Sequence, residues 1–172
     1  MGVSLGVKLS PPARLGALAA AGALVLDQAN KLWLMFVFDI EARQPVRLAP
    51  FFDVVFARNT GVSYSLFSGG GAFGRLALLA VALAATVFLV ALLLHAKNRL
   101  TGAALGLIIG GALGNAIDRA AYGFVADFYF FHVGDFRWYV FNLADVAIVV
   151  GVALLLLDAL RGERVEQAPR AS

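Results

Sequence analysis

Two carboxylate–amide pairs stand out among the residues that could carry chemistry. Asn115 and Asp118 are three residues apart, and Asn142 and Asp145 repeat the same Asn-x-x-Asp spacing in a later apolar stretch. Residues three apart are neighbours on one helix face. There the amide can hold the carboxylate in one rotamer by hydrogen bonding, as a catalytic acid requires. A further acid, Asp127, lies between the two pairs in an apolar run and has no adjacent cation.

Carboxylates in such surroundings indicate one kind of chemistry. Two of them brought together in a poorly solvated site cannot both ionise, so one keeps a proton and the pair titrates as a unit. In the aspartic-protease arrangement the ionised member activates water and the protonated member polarises the scissile carbonyl. The spacing ranks Asp127 with Asp145 above Asp118 with Asp145, because Arg119 directly follows Asp118 and offers it an ion-pair partner.

Asp27 and Lys31 form another charged pair within an apolar stretch. They are four residues apart with the acid first, which is the favourable order for an ion pair on a helix. A buried structural pair is the predicted role. The alternative is a Ser/Lys dyad with Lys31 as base, but no serine lies within any of the long apolar stretches.

The composition identifies the class of protein in which these residues act. Of 172 residues, 61% are hydrophobic and 15% charged, against about 45–50% and about 25% in soluble domains. A soluble enzyme and a disordered chain are therefore excluded. The absence of cysteine excludes a thiol nucleophile and a Cys-type zinc site. His95 and His132 lie far apart, so we expect no metal and no cofactor.

Four apolar stretches are long enough to cross a bilayer: residues 13–38, 76–94, 101–121 and 139–160. Ala-x-Ala triplets lie inside the first run rather than after it, which favours a retained helix over a cleaved signal peptide. The basic excess lies in the N-terminal tail, the turn at 97–99 and the C-terminal tail, which predicts cytoplasmic termini. We therefore expect residues 1–172 to form one all-α integral membrane domain with four transmembrane helices, and no nucleic-acid partner.

Two further patterns concern the surroundings of these helices. Residues 52–57 and 62–67 alternate in polarity, which predicts a small β-sheet in the connection at 40–72, at the outer membrane surface. Glycines recur at every fourth position of the third stretch, at 102, 106, 110 and 114. Small residues at that spacing let helix backbones approach closely in lipid, so helix packing is their predicted role.

In these segments the sequence resembles the lipoprotein signal peptidase family, signal peptidase II of bacteria. The family's DQxxK, RNTGAAFS, GGALGNLIDR, GxVVDF and FNxAD segments are similar, in order, to residues 27–31, 58–65, 110–119, 123–128 and 141–145. The resemblance implies an aspartyl endopeptidase of the bacterial inner membrane, with its active site toward the periplasm and a periplasmic β-cradle. Such an enzyme removes signal peptides from diacylglyceryl-modified prolipoproteins, cutting just before the lipidated cysteine.

The resemblance also implies a set of site residues and partners. The catalytic pair falls on Asp127 and Asp145. The implied supporting residues are Asp27, Lys31, Asn59, Gly111, Asn115, Asp118, Arg119 and Asn142. Membrane lipids and globomycin-type inhibitors are the further partners that the family implies.

The expected geometry suits such a substrate. Asp145 would lie six residues into its span, ~9 Å below the outer boundary at ~1.5 Å per residue, and Asp127 would come from the loop above. The glycine-lined third helix is expected to leave a lateral groove for the signal helix. Two rivals remain: an ion-coupled transporter, whose acids should lie near the midplane, and a structural subunit, which would not need Asp127 or Asp145.

Overall fold

The computed structural model describes residues 9–61 and 71–166. It contains five α-helices: α1 (Pro11–Leu32), α2 (Ile40–Arg43), α3 (Gly71–Leu94), α4 (Arg99–Tyr122) and α5 (Leu143–Glu166). A π-helical turn, Trp33–Val37, extends α1. Among the described residues three helical segments are long and apolar enough to span a membrane: Leu76–Leu94, Arg99–Ala121 and Leu143–Arg161. The last three predicted spans thus match helices, while the spanning role of α1 stays a prediction.

The glycines of α4 pack directly against α1. A Cβ added at Gly102, Gly106 or Gly110 would overlap a backbone carbonyl oxygen of α1, contributed by Pro12, Gly16 and Ala20 respectively. The predicted packing role of these glycines is therefore confirmed. The expected glycine-lined groove is wrong, because α1 fills the space beside α4 that was assigned to a substrate helix.

The sheet has four antiparallel strands in the order β1 (Val46–Ala49), β2 (Phe52–Asn59), β3 (Val125–Val133) and β4 (Phe136–Arg137). The prediction of a sheet between the first two spans is therefore only half right, since β3 and β4 follow α4. The part of that prediction on residues 62–67 lies outside the described residues. The first four residues of β3 are all buried, so the sequence shows no alternation there. The predicted loop position of Asp127 is therefore wrong, since this residue lies in β3.

Two local features place β3 against the helices. Gly123 ends α4 in the left-handed region at φ +83°, which turns the chain into β3. Ala126 and Phe128 of β3 then join Leu34, Ile40 and Val54 in a buried apolar cluster beneath the sheet. These contacts pack the start of β3 against the end of α1.

Candidate active site

Asp127 and Asp145 approach each other through Asn142, which touches both. The side-chain amide of Asn142 donates to Oδ1 of Asp127 at 2.6 Å, and its backbone N–H donates to Oδ2 of Asp145 at 3.1 Å. Asp127 is 2% exposed on β3, whereas Asp145 is partly buried in the first turn of α5. One residue therefore connects two carboxylates that come from different elements.

The Asn142–Asp145 spacing belongs to a capping box rather than to a helix face. Oδ1 of Asn142 accepts from the backbone N–H of Asp145 at 2.9 Å, while Asp145 accepts from the backbone N–H of Asn142. Because α5 begins at Leu143, the expected position of Asp145 six residues inside a span is wrong. The acid lies instead in the first turn of α5.

Asn115 joins the same network from α4. Its Oδ1 accepts from the ammonium of Lys31 at 3.1 Å, and its Nδ2 donates to Oδ1 of Asp145 at 2.9 Å. The ammonium can only donate, so it fixes which end of the Asn115 amide faces Asp145. The side-chain amide of Asn142 donates to the same oxygen of Asn115 at 3.1 Å, so Lys31 and Asn142 together orient the hydrogen bond that Asp145 receives.

Asn59 approaches the second oxygen of Asp127 from the end of β2. Its Oδ1 accepts from the backbone N–H of Gly61 at 2.8 Å, which turns its Nδ2 toward Oδ2 of Asp127 at 2.9 Å. Gly61 has φ +78°, a conformation that favours glycine. Each oxygen of Asp127 thus accepts one amide hydrogen bond, and among the described contacts none comes from a cation.

The environment of Asp127 favours its protonated form. Burial raises the pKa of Asp127 to about 6, from an ordinary value of 3.8. The hydrogen bonds from Asn59 and Asn142 lower this pKa, whereas the negative charge of Asp145 raises it further. A buried acid with a nearby carboxylate is the arrangement in which one proton is kept by the pair.

Lys31 lies at the centre of a buried charged cluster. Its ammonium is 2.8 Å from Oδ2 of Asp27 and 2.8 Å from Oδ2 of Asp118, and all three side chains are at most 1% exposed. The predicted Asp27–Lys31 pair is confirmed. The expected pairing of Asp118 with Arg119 is wrong, since Asp118 pairs with Lys31 from the neighbouring helix. Among the described contacts no serine reaches the ammonium of Lys31, so the Ser/Lys dyad is left without support.

The acids of this cluster also bind the backbone on both sides of the candidate pair. Oδ1 of Asp27 accepts from the N–H of Ala144 at the start of α5, at 2.9 Å. Oδ2 of Asp118 accepts from the N–H of Ala126 in β3, at 3.1 Å. The charged cluster therefore fixes the two segments from which Asp145 and Asp127 project.

Gln28 is a residue of this cluster that the sequence analysis did not single out. Its Nε2 lies 3.0 Å from Oδ1 of Asp118 and 3.2 Å from Oδ2 of Asp27. One amide thus bridges the two acids that hold Lys31. The only signal for it in the sequence is its place beside Asp27 in the first family-like segment.

The remaining two site residues contribute differently. A Cβ at Gly111 would overlap the carbonyl oxygen of Ala144, so this glycine lets the start of α5 approach α4 closely. Arg119 donates from Nη1 to the carbonyl oxygen of Asn115 at 3.4 Å. Among the described contacts the structure does not bring Arg119 to either carboxylate of the pair. In residues 9–61 and 71–166 no group of three or more histidine or acidic side chains is placed to hold a metal ion.

Comparisons with known proteins all point to one family. The family model described as signal peptidase (SPase) II matches residues 19–161. The lipoprotein signal peptidase of Methylocella silvestris is 65% identical over 153 residues, 89% of this chain and 90% of that protein. That of Beijerinckia indica is 66% identical over 152 residues, 88% of this chain and 91% of that protein.

Two solved structures, both described as bacterial membrane enzymes, share the fold. One, determined by the in meso method at 2.3 Å resolution, superposes with a TM-score of 0.76 at 24% identity and covers 91% of this chain and 94% of its own. The other, at 1.9 Å, gives 0.72 at 26% identity and covers 84% and 92%.

Proposed function

Because the chain belongs to the signal peptidase II family and removes signal peptides from prolipoproteins, we propose that it does so as an aspartic endopeptidase with Asp127 and Asp145 as its catalytic pair. The observation that carries the proposal is the double hydrogen bond of Asn142 to the two carboxylates. The family assignment leaves the transporter and structural-subunit alternatives without support.

The choice of Asp127 over Asp118 rests on their different partners. Asp118 is fully buried, lies 2.8 Å from the ammonium of Lys31 and accepts from the backbone N–H of Ala126, so its oxygens are occupied by structural partners. Asp127 has amide partners only, and its pKa of about 6 lets it keep a proton. A general acid needs a pKa near the working pH, a requirement that Asp127 meets.

The proposed reaction divides the two roles between the acids. Protonated Asp127 donates a hydrogen bond to the scissile carbonyl, while ionised Asp145 accepts a proton from the water that attacks the carbonyl carbon. Collapse of the tetrahedral intermediate breaks the C–N bond, and the leaving amine takes up a proton from the pair. Asn115 and Asn142 hold the carboxylate of Asp145 in place during these steps.

The proposal extends to the membrane setting. We place α1 as a fourth span beside the three apolar ones, within one domain of the inner membrane, with both termini cytoplasmic. The sheet and the catalytic pair then face the periplasm, near the outer leaflet. There a diacylglyceryl group on the substrate cysteine would be anchored, with cleavage just before that cysteine. Membrane lipids and globomycin-type inhibitors are the other ligands we expect.

The pH dependence of cleavage tests the proposal. We expect kcat/KM for a diacylglyceryl-modified prolipoprotein to fall on the alkaline side with an inflection near pH 6, because kcat/KM reports the free enzyme and the pKa of Asp127 is about 6. In Asn59→Ala the inflection should move to higher pH, since a hydrogen bond that lowers this pKa is lost. The measurement is a set of initial rates at subsaturating substrate in detergent.

Thr60→Ala is the matched control, because Thr60 is the exposed neighbour of Asn59. It should keep the wild-type inflection. An inflection that is the same in wild type and Asn59→Ala would contradict a rate-limiting proton on Asp127.

A further inference from the structure

An apolar groove, which we call the α1–α5 groove, opens on the surface of the helix bundle. Its α1 wall is formed by Ala19, Gly22, Ala23 and Leu26, and its α5 wall includes Val146 and Val150. Its cavity volume is about 410 Å³. The α1 residues follow the i, i+3, i+4, i+7 spacing of one helix face. The groove exists because α1 and α5 both pack along α4 and touch each other little.

Gly22 shows that this groove differs from the glycine contacts on α4. A Cβ at Gly22 would meet nothing within 4 Å, whereas one at Gly106 would overlap the backbone of α1. No contact among the described residues requires glycine at position 22, so the missing side chain leaves the groove wall open there.

The groove adjoins the candidate active site along α5. A second hollow is lined by Asp145, by Trp138 and Tyr139, and by the same Val146 and Val150 that line the groove. An apolar path therefore leads from Asp145 along the first two turns of α5. From Leu143 to Val150 the path descends ~10 Å at ~1.5 Å per residue.

We propose that the α1–α5 groove receives the apolar helix of the prolipoprotein signal peptide, an inference that rests on the proposed function. When the scissile bond of a substrate lies at Asp145, its signal segment must extend away from that residue. The groove is the apolar surface next to it. Signal peptides carry an apolar region of about 7–15 residues, long enough to fill the path. The small residues in the groove wall let a helix backbone approach closely in lipid. A flexible acyl chain does not need such a close approach, so the groove suits a helix better.

A substitution that fills the groove tests the proposal when its kinetics are measured with two substrates. The first is a full diacylglyceryl-modified prolipoprotein, and the second is a short diacylglyceryl peptide that spans the cleavage site but lacks the apolar helix. In Gly22→Phe we expect KM for the full substrate to rise about tenfold, with kcat/KM for the short peptide unchanged. Val87→Phe is the matched control, because Val87 is 70% exposed on α3, away from the groove, and it should change neither value.

Each other outcome overturns the proposal. An unchanged KM for the full substrate in Gly22→Phe would show that the groove is not used. An equal loss on both substrates would assign the groove to the acyl chains or to the fold. A separate result would show that the proposed function is wrong: the Asp127→Asn variant would still cleave the short peptide.

Cross-linking provides a second, direct test. The chain contains no cysteine, so a cysteine placed at Gly22 is unique in the enzyme. With an Asp127→Asn background to retain the substrate, a cysteine in the signal helix should cross-link to Gly22→Cys and not to Val87→Cys. Equal cross-linking at both positions, or none at Gly22→Cys, would contradict docking in the groove.

Discussion

Asp127→Asn and Asp145→Asn are each expected to lower kcat/KM for a diacylglyceryl-modified prolipoprotein at least about 10³-fold. General acid–base catalysis contributes about 10²–10⁴-fold, and an amide can neither hold the shared proton nor accept one from water. The measurement is single-turnover cleavage in detergent or liposomes. As members of the proposed pair the two acids should have non-additive effects, so we expect the double variant to be about as inactive as either single variant.

The same variants should remain folded, which separates catalysis from structure. The pKa of Asp127 is raised to about 6, from an ordinary value of 3.8, so between these values the folded protein binds the proton more tightly than the unfolded chain. The stability of the folded state therefore falls as pH rises through that window. An amide in place of this carboxyl does not ionise, so at pH 7 the Asp127→Asn variant should melt no lower than the wild type.

Asp135→Asn is the matched control for the loss of activity, because Asp135 is exposed in the turn between β3 and β4. It should cleave at the wild-type rate. Retained cleavage in Asp127→Asn, together with loss in Asp118→Asn at normal folded yield, would move the pair to Asp118 and Asp145.

Lys31→Met is expected to reduce stability more than any other single change in the site. The ammonium lies between Asp27 and Asp118, and all three side chains are at most 1% exposed. Removing it leaves two buried carboxylates without their cation, which costs about 3–5 kcal/mol. We expect the melting temperature in detergent to fall by roughly 10 °C, with a large loss of folded yield.

Two further variants test whether this loss of stability comes from the buried charge. Lys97→Met, in the exposed turn before α4, should melt at the wild-type temperature. Lys31→Met combined with Asp118→Asn should recover part of the lost stability, because one uncompensated carboxylate is removed. A double variant that melts lower than Lys31→Met alone would contradict the assignment of Asp118 to this ion pair.

The helices and their packing could be predicted from the sequence because each depends on local pattern. Long apolar runs predict helices α3 to α5, and the four-residue glycine spacing predicts the close contact of α4 with a neighbour. The Asp27–Lys31 pair is likewise set by helix geometry. The sequence does not show which neighbour the glycines contact, and for that reason it predicts a groove where α1 in fact lies.

The parts that were missed depend on long-range contacts. Strand β3 pairs with β2 across more than sixty residues of chain, and its buried start lacks the alternation of a half-exposed strand. The Asn142–Asp145 spacing fits both a helix face and a capping box, and only the start of α5 at Leu143 decides between them. Nothing in the sequence shows that Asn142 also reaches Asp127.

Titration of Asp127 itself tests whether Asp127 and Asp145 hold one proton between them. Carboxyl ¹³C NMR of Asp-labelled protein in detergent, assigned by the signal lost in Asp127→Asn, measures its pKa in wild type and in Asp145→Asn. We expect a pKa of about 6 in the wild type, with a lower value in Asp145→Asn because the negative charge of Asp145 is gone. A pKa near the ordinary ~3.9 of aspartate, or one that does not change when Asp145 is replaced, would contradict it.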